Sequence, residues 1–133
     1  MKSSYKTGDT ASIVHTVSAA DTAAFGGVEV HPVYATFAVA REAEWAGRQF
    51  VLQMKEDYEE GIGTFVEIYH HAPAFIGEKV VFVATISLLE KNKIECTITA
   101  KVGERLIATG KTGQKIIDKN KLKSYFATLN EEK

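Results

Sequence analysis

The chain has little cysteine, little proline and no surplus of either charge, and each shortage closes off a class of protein. Its one cysteine, Cys96, cannot form an internal disulfide and offers no metal-ligand spacing, which fits a reducing compartment. Lysine and arginine number 16 against 17 aspartates and glutamates, for a formal net charge of −1. No basic excess is available to hold a phosphate backbone, so nucleic acid is not an expected partner. The segment Met1 to Lys6 lacks an apolar stretch of signal-peptide length, and the longest nearly uncharged apolar run, Val80 to Leu89, is far short of a membrane span. The expectation is a soluble, cytoplasmic protein with no membrane partner. Nucleotide-binding loops of the GxxxxGK(S/T) or GxGxxG kind are absent, as is a GxSxG elbow. With only two prolines and no Pro/Gly/Ser linker or internal repeat, the 133 residues are expected to form one domain, 1–133.

The residues that are present alternate between strand and helix signals. Thr10 to Val17 carries Ile13, Val14 and Val17 and reads as a first strand. Ser18 to Gly27, rich in Ala, Asp and Gly, reads as a loop or a short irregular helix. From Val33 to Met54 the pattern is helical, with Val33, Phe37, Ala40, Glu44 and Gly47 on one face and Pro32 just before the start. Lys55 to Gly61 is charged and reads as a solvated connection. Four strands follow, over Gly63 to His71, Glu78 to Leu89, Ile94 to Val102 and Leu106 to Ile117, with turns at Glu90–Lys93 and Val102–Arg105. Strict alternation of Ile94, Cys96, Ile98, Ala100 and Val102 with polar residues marks a strand buried on one face. Residues from Asp118 to Lys133 suggest a C-terminal amphipathic helix carrying Leu122, Tyr125, Phe126 and Leu129. This order predicts an α+β domain, one long helix packed on a curved five-stranded antiparallel sheet. The open edges of such a sheet favour a homodimer or higher homo-oligomer.

Few side chains stand out chemically. Glu44 shares its helical face with Val33, Phe37 and Ala40, where a carboxylate needs a partner or a cavity; it either pairs with Arg41 or Arg48 or serves a site. Glu42 is the control and is expected to point outward. Thr36, in the opening turn, either caps free N–H groups or orients a carboxylate or substrate. His70 and His71 end a strand, so at most one can face the helix, and no third ligand makes them a metal site. Gly63 is either part of a turn or a point where a carbonyl can approach a backbone N–H closely. Phe25-Gly26-Gly27 reads as a flexible lip over a pocket or as a loop.

Taken jointly, these residues resemble a known family. Val33-Tyr34-Ala35-Thr36, with Glu44-Trp45 eight residues after the threonine, is similar to a V-F/Y-A-T segment and a following glutamate in hotdog thioesterases related to fluoroacetyl-CoA thioesterase. Gly63-Thr64 with His70 seven residues on, then Ala72 to Val80 in an A-x-x-x-x-G-x-x-V pattern, resembles the same family, and the matching spans about Thr10 to Ile117. The resemblance implies a hotdog fold and hydrolysis of an acyl-CoA thioester to a carboxylic acid and free CoA. No cofactor is implied beyond CoA as part of the substrate. It places Thr36, Glu44 and His70 at the catalytic positions, with Gly63 as an oxyanion contact; Phe25, from the reading of its segment as a lip, is expected at the substrate. One departure concerns the family's G-x-H-x-R near the end of the last strand, where this chain reads Gly110-Lys111-Thr112-Gly113-Gln114. The alternatives are a non-catalytic acyl-CoA or acyl-carrier binding module, which that departure leaves open, and a hotdog hydratase or dehydratase.

Overall fold

Strand pairing follows the alternating hydrophobic pattern. The computed structural model describes residues 1–132, and Lys133, included in the expected terminal helix, lies outside them. Five strands form an antiparallel sheet: β1 (Thr10–Thr16), β4 (Glu59–His70), β5 (Lys79–Glu90), β6 (Lys93–Val102) and β7 (Arg105–Asp118), in the order β1-β5-β6-β7-β4. The expected α+β architecture is therefore present, with helix α1 (Thr36–Met54) packed on one face of the sheet. In β6, Ile94, Cys96, Ile98 and Ala100 are all buried under α1, as their alternation requires. Burial pushes the Cys96 thiol up to about 11, so it is an inert core group. Across the interface α1 contributes Ala38, Val39, Ala43, Ala46, Phe50 and Val51, all essentially inaccessible. A fully buried side chain of this kind stabilises the fold by about 1.5–3 kcal/mol, and Phe50→Ala is expected to cost about 3–5 kcal/mol.

Three local readings change. The segment read as loop or irregular helix folds as a 3₁₀ turn (Ala19–Asp21) followed by a hairpin of β2 (Thr22–Phe25) and β3 (Val28–Tyr34). Gly26 and Gly27 turn the hairpin with φ of 60° and 80°, the left-handed pair that a tight two-residue turn demands. Helix α1 accordingly starts at Thr36 rather than Val33. Val33 bridges to Phe75 and the Tyr34 amide donates to the Ala74 carbonyl at 2.9 Å, so both residues are spent on strand pairing. Pro32 sits inside a strand of a two-stranded ribbon, where a missing N–H is tolerated. Strand β4 starts at Glu59 rather than Gly63, shortening the expected connection.

The third change concerns the faces of α1. Phe37 and Glu44 lie on its exposed side, with Phe37 50% accessible, while Glu42 is buried. Expecting Glu42 outward was wrong because the stripe of Ala38, Ala43 and Ala46 packs closest to the sheet, and Glu42 borders that stripe rather than the opposite face. At the C-terminal end Asp118 caps α2 (Lys119–Glu131), accepting from the amides of Asn120 and Lys121 at 2.8 and 3.1 Å.

Candidate active site

The half-exposed side of α1 faces the edge strand β4, and a bulge in β4 decides what meets it. Gly63 pairs with Gln114 and Phe65 with Gly113, leaving Thr64 as an extra residue. Because side chains alternate, one inserted residue reverses which parity faces the helix. Before the bulge the odd-numbered Gly61 and Gly63 face α1: a Cβ at Gly61 would run into Val51, and one at Gly63 would lie 3.0 Å from Oε1 of Glu44. Beyond it the even-numbered Val66 and His70 face α1 instead. One strand thus brings both Gly63 and His70 to the same helix.

Two contacts result. Thr36 Oγ1 and His70 Nδ1 share a hydrogen bond of 3.0 Å. Ala35, not Thr36, is the N-cap residue, so the Thr36 hydroxyl is directed at the histidine rather than used as a cap. The other ring nitrogen, Nε2 of His70, is buried without a hydrogen-bond partner among the described residues. An orphaned buried polar atom is costly to the fold. Burial pushes the imidazole below its ordinary value; the Ala72 backbone opposes that shift and the neighbouring His71 adds to it. His71 itself turns away and bonds Thr109 Oγ1 at 2.7 Å. The second contact sets the Glu44 carboxylate directly over the Gly63 backbone.

Glu44 also lines a groove of about 650 Å³ along α1, at the seam with β4. Phe37, Ala40, Trp45 and Val66 supply apolar walls, and Arg41, Glu42, Glu44 and Arg48 supply the charged ones. Arg48 ties the helix to β4 through Glu60 at 3.3 Å. Phe25, at the hairpin tip, stands edge-on to Phe37 with ring centroids 6.0 Å apart, which places it beside the groove's apolar end. Among the described residues no His, Cys, Asp and Glu side chains group so as to hold a metal ion.

A family model for the fluoroacetyl-CoA-specific thioesterase FlK matches residues 17–120, which contain every residue of this groove. The chain belongs to that family. It is a thioester hydrolase of the hotdog fold. A thioesterase superfamily member from Thermus thermophilus is 36% identical, covers 96% of this chain and 94% of its own, and superposes with a TM-score of 0.90. The fluoroacetyl-CoA thioesterase FlK, 20% identical, shares the fold with a TM-score of 0.83 over 97% of this chain and 98% of its own. So does a hot-dog-like protein from Thermanaerovibrio acidaminovorans, 20% identical, with a TM-score of 0.84 over 93% of this chain and 92% of its own. No curated protein matches the chain.

Where the family resemblance leads one to look for a histidine and an arginine on the last strand, this thioesterase places Thr112 and Gln114, both buried beneath α1. A Cβ at Gly47 would lie 2.7 Å from Thr112 Oγ1 and 3.4 Å from Gln114 Nε2, so the helix rests on them closely. Lys111 does not replace the missing charge, because it lies on the opposite sheet face beside Glu67, Tyr69 and Thr97. Trp45, Arg48 and Val66 were not singled out in advance as groove residues. For Trp45 and Arg48 the signal was present, since both sit within one turn of Glu44. Val66 had none, because only the bulge turns it toward α1.

Proposed function

We propose that this thioesterase hydrolyses a small acyl-CoA to a carboxylic acid and free CoA in the groove between α1 and β4, with Thr36, Glu44 and His70 as its centre. The observation that carries the reading is the Thr36–His70 hydrogen bond with the His70 Nε2 left buried and unpaired, on the same helix–strand seam that sets Glu44 over Gly63. With the thioester carbonyl over Gly63, the backbone N–H stabilises the developing oxyanion, a contact worth roughly 3–4 kcal/mol in other acyl-transfer enzymes. Glu44 either attacks the carbonyl carbon, giving a mixed anhydride that water then opens, or takes a proton from the attacking water. The C–S bond breaks in both routes, and the electron pair leaves on the CoA sulfur. With the Thr36 hydroxyl donating to Nδ1, the His70 proton sits on Nε2, where it polarises the carbonyl or passes to the departing thiolate.

Support for CoA as the carrier comes from the family, and from FlK, one variant of which was solved in complex with acetyl-CoA. Fluoroacetyl-CoA itself is not assigned, because Thr112 and Gln114 replace the charged pair. The unpaired edge of β4 and the exposed Trp45 beside it favour a homodimer that closes the groove with a second copy. The cytoplasm, reducing and holding acyl-CoA, is the compartment this chemistry fits. The test is thiol release across short, branched and aromatic acyl-CoAs, with mass determination in solution. Tight acyl-CoA binding without thiol release by the wild-type protein refutes the reading. Single-turnover reaction in ¹⁸O-water tests the anhydride route, since only an anhydride opened at the Glu44 carboxyl carbon leaves ¹⁸O-free product and carries the label into Glu44.

A further inference from the structure

Five polar groups interlock at the shoulder where β3 becomes α1, and two of them, Arg41 and Glu42, also line the groove beside Glu44. Tyr34, wholly buried, donates its hydroxyl to Oε2 of Glu42 at 3.1 Å. Arg41 donates Nε to Oε1 of Glu42 at 2.9 Å and Nη2 to Oδ1 of Asp21 at 2.8 Å. His15 lies between the carboxylates, with Nε2 2.8 Å from Asp21 Oδ2 and Nδ1 3.8 Å from Glu42 Oε1, and its ring stacks on Tyr34. Tyr34, Asp21 and Glu42 are buried while the Arg41 side chain is 55% exposed, and a partly buried charged cluster of this kind is an inefficient way to stabilise a fold. Its value lies in geometry: each group has one arrangement that satisfies all its partners.

That arrangement acts on a short piece of backbone. Tyr34 is the last residue of β3 and stands two residues before Thr36. The amides of Tyr34 and Ala35 donate to the carbonyls of Ala74 and Asp21 at 2.9 and 2.8 Å. The junction is therefore held by side chain through Glu42, by backbone through Asp21, and by the loop that follows His70. Thr36 leaves this junction as the first helical residue and meets His70.

We infer that Glu42, acting through Tyr34, is a positioning residue for the Thr36–His70 pair. Glu42 also lines the groove, but it makes no hydrogen bond to Thr36, His70 or Glu44, and its link to the pair runs through Tyr34. Burial, followed by the Glu42 charge and hydrogen bond, raises Tyr34 far above its ordinary value, so its hydroxyl stays a donor at all working pH. The inference rests on the acyl-CoA thioesterase reading, and the experiment keeps the two apart. Tyr34→Phe deletes one hydroxyl and keeps the ring. It is expected to lower kcat ~10-fold with little change in KM, as for a small misplacement of a reacting group. In the Thr36→Ala background the same substitution is expected to change kcat less than twofold. Glu42→Gln, which can still accept from Tyr34, should retain more kcat than Glu42→Ala. Equal kcat losses from Tyr34→Phe in both backgrounds overturn the inference and leave the thioesterase reading standing. If the wild-type protein releases no thiol from any acyl-CoA, that reading fails and the His70 ring ¹⁵N resonances decide the positioning role. Tyr34→Phe should shift them, whereas Ile86→Val, a remote core change, should not; unmoved His70 resonances overturn the inference.

Discussion

Gly63→Ala separates stability from chemistry at a single methyl group. The added Cβ would lie 3.0 Å from Oε1 and 3.5 Å from Cδ of Glu44, so the carboxylate must retreat by a few tenths of an ångström. Glu44 is exposed and long, and it can give way at little cost to the fold. Loss of unfolded-chain entropy favours alanine by about 0.4–1 kcal/mol, which makes the melting temperature steady or slightly higher. Catalysis has no such slack. A full ångström of misplacement costs about 10²-fold, so a shift of a few tenths together with a methyl over the oxyanion position is expected to lower kcat/KM about 10- to 100-fold. Gly61→Ala is the internal comparison. Its Cβ would collide with the buried Val51 side chain, and overpacking of that kind costs about 1–3 kcal/mol while leaving Glu44 untouched. Thermal melts and thiol-release kinetics on both variants test the argument. Wild-type kcat/KM in Gly63→Ala, or a loss of melting temperature matching that of Gly61→Ala, refutes it.

Four further outcomes can be measured. Glu44→Gln and His70→Ala should each lower kcat by about 10²–10⁴-fold, and the exposed Glu44 site should do so with a melting temperature within a degree or two of wild type. Because burial holds His70 below its ordinary value, its neutral form persists in the folded state under mildly acidic conditions. The His70 contribution to stability is complete above about pH 6.5 and declines as pH falls through the lower folded value; an NMR titration midpoint at or above about 6.5 contradicts this. Burial alone would push the Asp21 carboxyl up, but the Ser18 amide, His15 and Arg41 hold it well below the usual carboxylate range. Its stabilisation is present above about pH 3.9 and is lost as pH falls toward the folded value, so Asp21→Asn should cost about 3 kcal/mol in urea unfolding at pH 7 and much less at pH 2. Deleting Thr64 should leave the edge strand paired, with a cooperative melt, yet abolish thiol release, since Gly63 and His70 can no longer both face α1.

The main sheet was legible because its signals are local and redundant. Alternation in β6 and the turn at Glu90–Lys93 fix pairing and register with no knowledge of the rest of the chain. The β2–β3 hairpin was missed although Phe25-Gly26-Gly27-Val28 carries a turn signal, because the flanking residues alternate poorly and Pro32 reads as a helix start. On α1, two stripes three to four residues apart both look apolar. Phe37 and Ala40 suggested one buried face, whereas the smaller Ala38, Ala43 and Ala46 actually meet the sheet. That choice inverted the environments of Glu42 and Glu44. The Thr36–His70 contact joins residues 34 apart and depends on a bulge, so periodicity could not reveal it; the family-like spacing pointed to it.

Seen as a mechanical assembly, α1 meets β4 at Thr36, which bonds His70, and again at Glu44, which lies over Gly63. Thr36 and Glu44 are about 12 Å apart along the helix at 1.5 Å per residue. A rigid rod that slides along the strand disturbs both. Translation of α1 along its axis is therefore felt at the histidine and at the carboxylate together. Residues beneath the helix, such as Ala46 and Phe50, become remote controls on turnover: enlarging Ala46 lifts the rod and loosens both ends at once, whereas a change at the rim of the groove reaches only one.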